Sequence, residues 1–158
     1  MPPIQLGICT PKAELMSESS SCRILVVDAN PADVTLLKEA FREAELTPDI
    51  HVVSDGDDAL AFLYREGRFT NAPRPDMILL ERELPMTTGL EVLQRIKSHP
   101  ELKDIPVVVC SAFQSNSEIQ EAHALKADAT AHKSAELEKY FAVVRNLYTK
   151  WCEEADSS

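Results

Sequence analysis

Four polar residues follow directly on short apolar runs: Asp28 closes "RILVVD", Glu81 closes "DMILLE", Ser111 lies at the end of "IPVVVCSA", and Lys133 follows "DATAH". A continuous apolar run that stops at a polar side chain reads as a buried strand delivering that group to its carboxyl end. A carboxylate pair, a hydroxyl and an ammonium converging on one edge would be a site for a phosphoryl group or a metal ion. Each group alone is weak evidence, whereas the ordered set is strong.

Strand-like runs alternate with helix-period segments from Cys22 onward. "NPADVTLLKEAFREAE" follows the first strand, with Asn30 as N-cap, Pro31 in the first turn, and Val34, Leu37, Phe41 and Ala44 on one face. "DIHVVSD" is a second strand, and "GDDALAFLYREG" a helix closed by Gly67. "TGLEVLQRIKSH" is a helix that ends before Pro100, and "SNSEIQEAHALK" is another after the fourth strand. A short fifth strand leads to a last helix with the stripe Leu137, Tyr140, Phe141, Val144, Leu147 and Trp151. Alternation of this kind implies an α/β fold, a parallel sheet with helices on both faces, and ligand chemistry at the carboxyl ends of its strands.

With 158 residues, 44% of them hydrophobic, the chain fits one domain with a substantial core. Residues 1–21 lack periodicity and read as a flexible tail, with Met16 as an alternative start; the domain spans 22–152 and a C-terminal tail 153–158. A net charge of -10 argues against nucleic acid and anionic membranes as partners and favours proteins. Cys9, Cys22, Cys110 and Cys152 form no CxxC pair and no zinc-type cluster, which suggests a reducing, cytoplasmic setting. No apolar run reaches membrane-spanning length, and the start does not read as a secretion signal.

The words "ILVVDANPADV", "VVSDGDDALAFLYREG", "PRPDMILLERELPMTTGLEVLQRIK" and "ELKDIPVVVCSA", with the isolated Lys133, resemble the receiver domains of two-component response regulators, and most closely the stand-alone receivers of phytochrome-type histidine kinases. The resemblance runs from Cys22 to about Trp151. It implies a (βα)5 flavodoxin-like sheet of order 2-1-3-4-5. It also implies that the third strand ends in a phosphate-accepting aspartate and the first in two acids that place magnesium. A hydroxyl and a lysine then stabilise the phosphoryl charge.

The chain departs from that pattern where the chemistry is done. Glu81 stands in place of the accepting aspartate, one methylene too long, and misplacements of about 1 Å can cost on the order of 100-fold in rate. Ala29 replaces the second acid, so the degenerate pocket of Asp28 and Ala29 lacks an oxygen that magnesium's octahedral shell needs, and metal binding is expected to be weak or lost. Thr130 stands where the family carries a switch aromatic, Ser134 where it carries a proline, Lys126 where it carries a glycine, and Thr88 where it carries an acid. The turn after Lys133 is therefore expected to be trans. Ser111 and Lys133 remain as remnants of the phosphate site.

Two readings of Glu81 stand side by side. It is either a built-in surrogate for phosphoaspartate, with one negative charge in place of about two, or a passive partner that keeps Lys133 from being an unpaired buried cation. Asp28 either pairs with Lys133 or holds a metal. His51, His99, His123 and His132 are scattered and read as solvated or strand-edge residues, and only His132, beside Lys133, is placed to be an imidazole neighbouring Glu81. The face built from the fourth helix, fifth strand and fifth helix, with Trp151, is either a homodimer surface or ordinary packing.

The function expected is a non-enzymatic, phosphorylation-independent pseudo-receiver with no cofactor, acting on a protein partner such as a histidine kinase or another regulator. The alternative is a phosphoacceptor using a displaced acid such as Glu83 or Asp28. A flavodoxin-like cofactor binder is disfavoured because "DANPADV" lacks a hydroxyl-rich phosphate loop.

Overall fold

The computed structural model describes residues 22–112 and 115–153. The expectations placed on residues 1–21, including the tail and the start at Met16, and on 154–158 lie outside the described residues.

The elements follow the predicted alternation: β1 (Arg23–Val27), α1 (Pro31–Glu43), β2 (Asp49–Val53), α2 (Gly56–Tyr64), β3 (Met77–Glu81), α3 (Gly89–Ser98), β4 (Val107–Ser111), α4 (Asn116–Ala124), β5 (Ala129–His132) and α5 (Leu137–Tyr148). All neighbouring strands are parallel and lie in the order β2-β1-β3-β4-β5. Because successive strand side chains point to opposite faces, the core divides into two layers. Leu25, Val27, Ile78 and Leu80 pack with α2, α3 and α4, while Ile24, Val26, Met77 and Leu79 pack with α1 and α5. Every residue of β3 is buried, as expected for a central strand covered on both faces.

Two local differences from the sequence expectation have clear causes. The second helix ends at Tyr64, not at Gly67, because Arg65 takes the left-handed conformation at φ 60. Glu66 N–H then bonds Ala61 O at 2.9 Å and Arg65 N–H bonds Phe62 O at 3.2 Å, the paired pattern of a Schellman ending. In the last helix the buried stripe is Tyr140, Val144 and Tyr148; Leu137 is 53% exposed at the first turn. Trp151 is half-buried against the layer under α1 and α5.

A feature that cysteine spacing does not reveal is a disulfide between Cys22 and Cys152, with Cα atoms 5.5 Å apart across a sequence separation of 130. It joins the residue before β1 to the short π-helical turn Thr149–Glu153 that follows α5. Cys110 is free and half-buried.

Candidate functional site

The carboxyl edge of the sheet is assembled by caps. Asn30 caps α1 by accepting Ala32 N–H at 2.9 Å, and Pro31 occupies the first helical position, where its missing N–H costs nothing. Thr88 caps α3 in a reciprocal box with Glu91. Gly89 lets that helix abut the end of β3: a Cβ there would sit 2.3 Å from Glu81 O, closer than any side chain allows.

These caps bring three carboxylates around one ammonium. Lys133 Nζ donates to Asp28 Oδ2 at 2.6 Å, to Asp33 Oδ2 at 3.0 Å, and to Glu81 Oε1. Asp28 and Glu81 are each 8% exposed. Each divides its oxygens in the same way, one on Lys133 and the other on a loop N–H two residues ahead: Asn30 N–H on Asp28 Oδ1 and Glu83 N–H on Glu81 Oε2, both at 2.9 Å. The cluster therefore fixes the loops after β1 and β3 as well as the charge. Lys133 is itself anchored by its N–H on Ser111 O at 2.9 Å.

Burial alone would lower the Lys133 pKa, but hydrogen bonds from Asp28, Glu81 and Asp33 outweigh it and hold the ammonium above its ordinary range. Below the cluster lies a small, mainly apolar cavity of about 30 Å³, lined among others by Leu79, Cys110, Ala131, Tyr140 and Leu147. Burial there pushes the Cys110 thiol up to about 12, with Glu81 and Asp28 adding to the shift and Lys133 opposing it. A thiol held protonated is no nucleophile at neutral pH.

Asp28, Glu81 and Lys133 are thus brought together, with Asp28 bonded to Lys133. Asp33 was missed. Its signal was positional: it lies in the first turn of α1, where helical side chains lean back toward the N-terminus and hence toward the strand end. Ser111, 2% exposed, does not line the cavity under Lys133; it lines a separate space of about 10 Å³ with Arg82, Thr130 and Ile119. That volume suits about one water, too little for an aromatic ring beside Thr130. Arg82, also overlooked, reaches from beside Glu81 to α4, with Glu121 at 2.6 Å and Glu118 at 3.7 Å.

The remaining expectations fall into place around the edge. Ala29 is exposed and supplies no side-chain oxygen. The peptide bond into Ser134 is trans, Ser134 N–H bonds His132 O, and Ser134 Oγ accepts Glu136 N–H at 3.0 Å. Lys126 takes the left-handed φ of 73 that a glycine would favour. His132 is exposed, its Nε2 lies 2.9 Å from Ala112 O, and the residue borders the cavity under Lys133; His51 pairs with Asp49, and His99 Nδ1 accepts Glu101 N–H.

For magnesium, Asp28, Asp33 and Glu81 offer oxygens within 4.8 Å of one another, a set of the right hard type. Each of those carboxylates already has an oxygen on Lys133 Nζ. An ammonium and a divalent ion cannot share that volume, so the residues do not fit the metal while Lys133 holds its place.

This fold and its edge of carboxylates and lysine define a receiver, and the chain belongs to the response regulator receiver domain family, whose model matches residues 24–145. It is 35% identical to response regulator Rcp1 of Synechocystis sp. over 130 residues, covering 82% of this chain and 88% of that protein. Among solved structures it is similar to the phosphorylated cyanobacterial phytochrome response regulator RcpA, with 39% identity, a TM-score of 0.77, and coverage of 83% of this chain and 94% of that one. It is also similar to the Mn(2+)-bound form of Rcp1, at 34% identity, TM-score 0.76, and coverage of 84% and 95%. Among the described residues no helix is long and apolar enough to cross a membrane.

Proposed function

We propose that this chain is a stand-alone receiver in which an internal salt-bridge cluster replaces the phosphorylation cycle, so that it signals by protein contact from the cytoplasm and performs no catalysis. The observation that carries this reading is the enclosure of Lys133 Nζ by Asp28, Asp33 and Glu81 beside Ala29. Transfer to a carboxylate needs a free nucleophilic oxygen, a divalent cation and a free cationic or hydroxylic stabiliser in the transition state. Here Glu81 and Lys133 are spent on each other, and the metal's volume is filled. RcpA is known phosphorylated and Rcp1 with Mn(2+); this chain keeps their fold and gives up both ligands.

Glu81 acts as a lock and not as an imitation of phosphoaspartate. Imitation needs a route outward, and Thr130 offers no ring to move while Ser111 lines a different space. A locked receiver presents one surface permanently. The partner is a histidine kinase or another regulator, and the face of α4, β5 and α5 is available for pairing with a second copy.

The test is incubation with magnesium and acetyl phosphate followed by intact mass. No stable gain of a phosphoryl group is expected, and one at Glu81, Glu83 or Asp28 would overturn the reading. Glu81→Asp combined with Ala29→Asp should regain magnesium-dependent phosphorylation, because both lost functions are then restored.

A further inference from the structure

Cys22 and Cys152 are each 1% exposed and lie in the layer between the sheet, α1 and α5, where Phe41 and Tyr148 meet edge-on at 6.0 Å. The bond between them ties the far end of α5 to the start of the central pair of strands. The near end of α5 has no side-chain cap, and Tyr140 and Leu147 on this helix line the cavity directly under Lys133. The helix that closes the site from below is therefore held by packing along its length and by one covalent link at its end.

We infer that Cys22 and Cys152 form a reversible thiol–disulfide exchange site, taking a small-molecule disulfide of the glutathione type, and that its state sets how firmly α5 is docked beneath the Lys133 cluster. The inference rests on the cytoplasmic setting proposed above, for in a reducing compartment a paired disulfide is usually transient and redox-sensing. The exchange is balanced: one protein thiolate attacks the small disulfide and expels one thiolate. The second protein thiol then attacks the mixed disulfide, closing the Cys22–Cys152 bond and releasing a second thiol. The protein loses two protons and two electrons, which the small disulfide takes up as it becomes two molecules of thiol; excess thiol reverses both steps.

Buried sulfurs need a route to the solvent, and the position of Cys152 supplies one. It lies in the five-residue turn Thr149–Glu153 at the end of a helix, a segment of the kind that opens locally at least cost. Cys110 does not compete, since burial keeps its thiol protonated and it lies on β4, at the edge occupied by Glu81. Trp151, the single tryptophan of the chain, adjoins Cys152 and carries Lys150 Nζ 5.1 Å from its ring centre, so its emission reports the turn.

The experiment equilibrates the full chain in graded ratios of reduced to oxidised glutathione, quenches in acid, alkylates the unfolded protein and reads intact mass. Fully reduced protein takes up four alkyl groups, one per cysteine; oxidised protein should take up two, the missing pair mapping to Cys22 and Cys152. Trp151 emission should follow the same two-electron curve. The oxidised form should melt about 10 °C higher, the scale expected for a link closing a long loop. Amide exchange across α5 should quicken on reduction, and Cys22→Ser and Cys152→Ser should each abolish the transition. The inference is overturned if the pair stays reduced at every ratio, stays oxidised in excess thiol, stops at a glutathione adduct, or switches with no change in α5 exchange. None of these outcomes bears on phosphorylation, so the reading of the Lys133 site stands or falls separately.

Discussion

Lys133 and Lys97 are two deeply held ammonium groups at opposite edges of one sheet, with side chains 14% and 9% exposed, and they are satisfied in different currencies of charge. Lys97 Nζ, at the amino edge, donates to Lys103 O, Ile105 O and Asp128 Oδ2, and that same Asp128 oxygen accepts Val107 N–H at 2.8 Å. One cation meets one anion there, and two neutral carbonyls complete the shell. Lys133, at the carboxyl edge, meets three carboxylates and, among the described residues, no carbonyl. The first arrangement is a neutral clasp of the kind that fixes loops. The second carries formally two surplus negative charges around its lysine.

The largest expected effect comes from removing the cation where anions are in excess. Lys133→Met should destabilise by about 3–5 kcal/mol at neutral pH, because the buried Asp28 and Glu81 lose the cation they share. Urea unfolding would measure it. The loss should shrink when millimolar magnesium is added, since the three oxygens are then vacant and binding to the folded state alone stabilises it. A variant indifferent to magnesium would break the comparison, for it would mean that the carboxylates do not act as one set.

Lys97→Met should cost less, about 2 kcal/mol, because two carbonyls lose a donor while Asp128 keeps the Val107 N–H. Magnesium should leave this loss unchanged. If Lys97→Met proves the more damaging, the amino edge is the true keystone and the carboxyl cluster is a tolerated excess.

The two edges also differ in how openly the sequence displays them. Apolar runs with terminal polar residues make β1, β3 and β4, and thus Asp28, Glu81 and Ser111, legible, because strand burial and strand ends are local properties. Ala29 and Thr130 are legible by comparison with the family pattern. Asp33 is not, since its part depends on how α1 sits over the edge, nor is the side-chain direction of Ser111, which decides which cavity it lines. Lys97 and Asp128 meet across 31 residues, and Cys22 and Cys152 across 130. Such pairings are products of the closed fold, and no spacing rule reaches them.

The smallest effect reads the crowded edge through a neighbour that takes no part in it. The Cys110 thiol is raised from 9.0 to about 12, first by burial, with Lys133 opposing the shift and Glu81 and Asp28 adding to it. The sign follows from proton counts: above pH 9.0 the unfolded chain releases this proton while the folded chain keeps it, so stability is intact below 9.0 and declines as pH rises toward 12. Tyr140 and Lys133, whose pKa values are also raised, join only above their ordinary 10.0 and 10.5. Among the described residues the decline between pH 9 and 10 belongs to Cys110, with a slope of at most about 1.4 kcal/mol per pH unit. Denaturant titrations across that window should give a falling stability for the native chain and a flatter one for Cys110→Ala. An equal slope in both would place the alkaline loss elsewhere and leave Cys110 indifferent to the charge beside it. A slope that softens in Glu81→Gln would show that the surplus of carboxylates is felt through the floor of the site, which the neutral clasp at Lys97 has no means to produce.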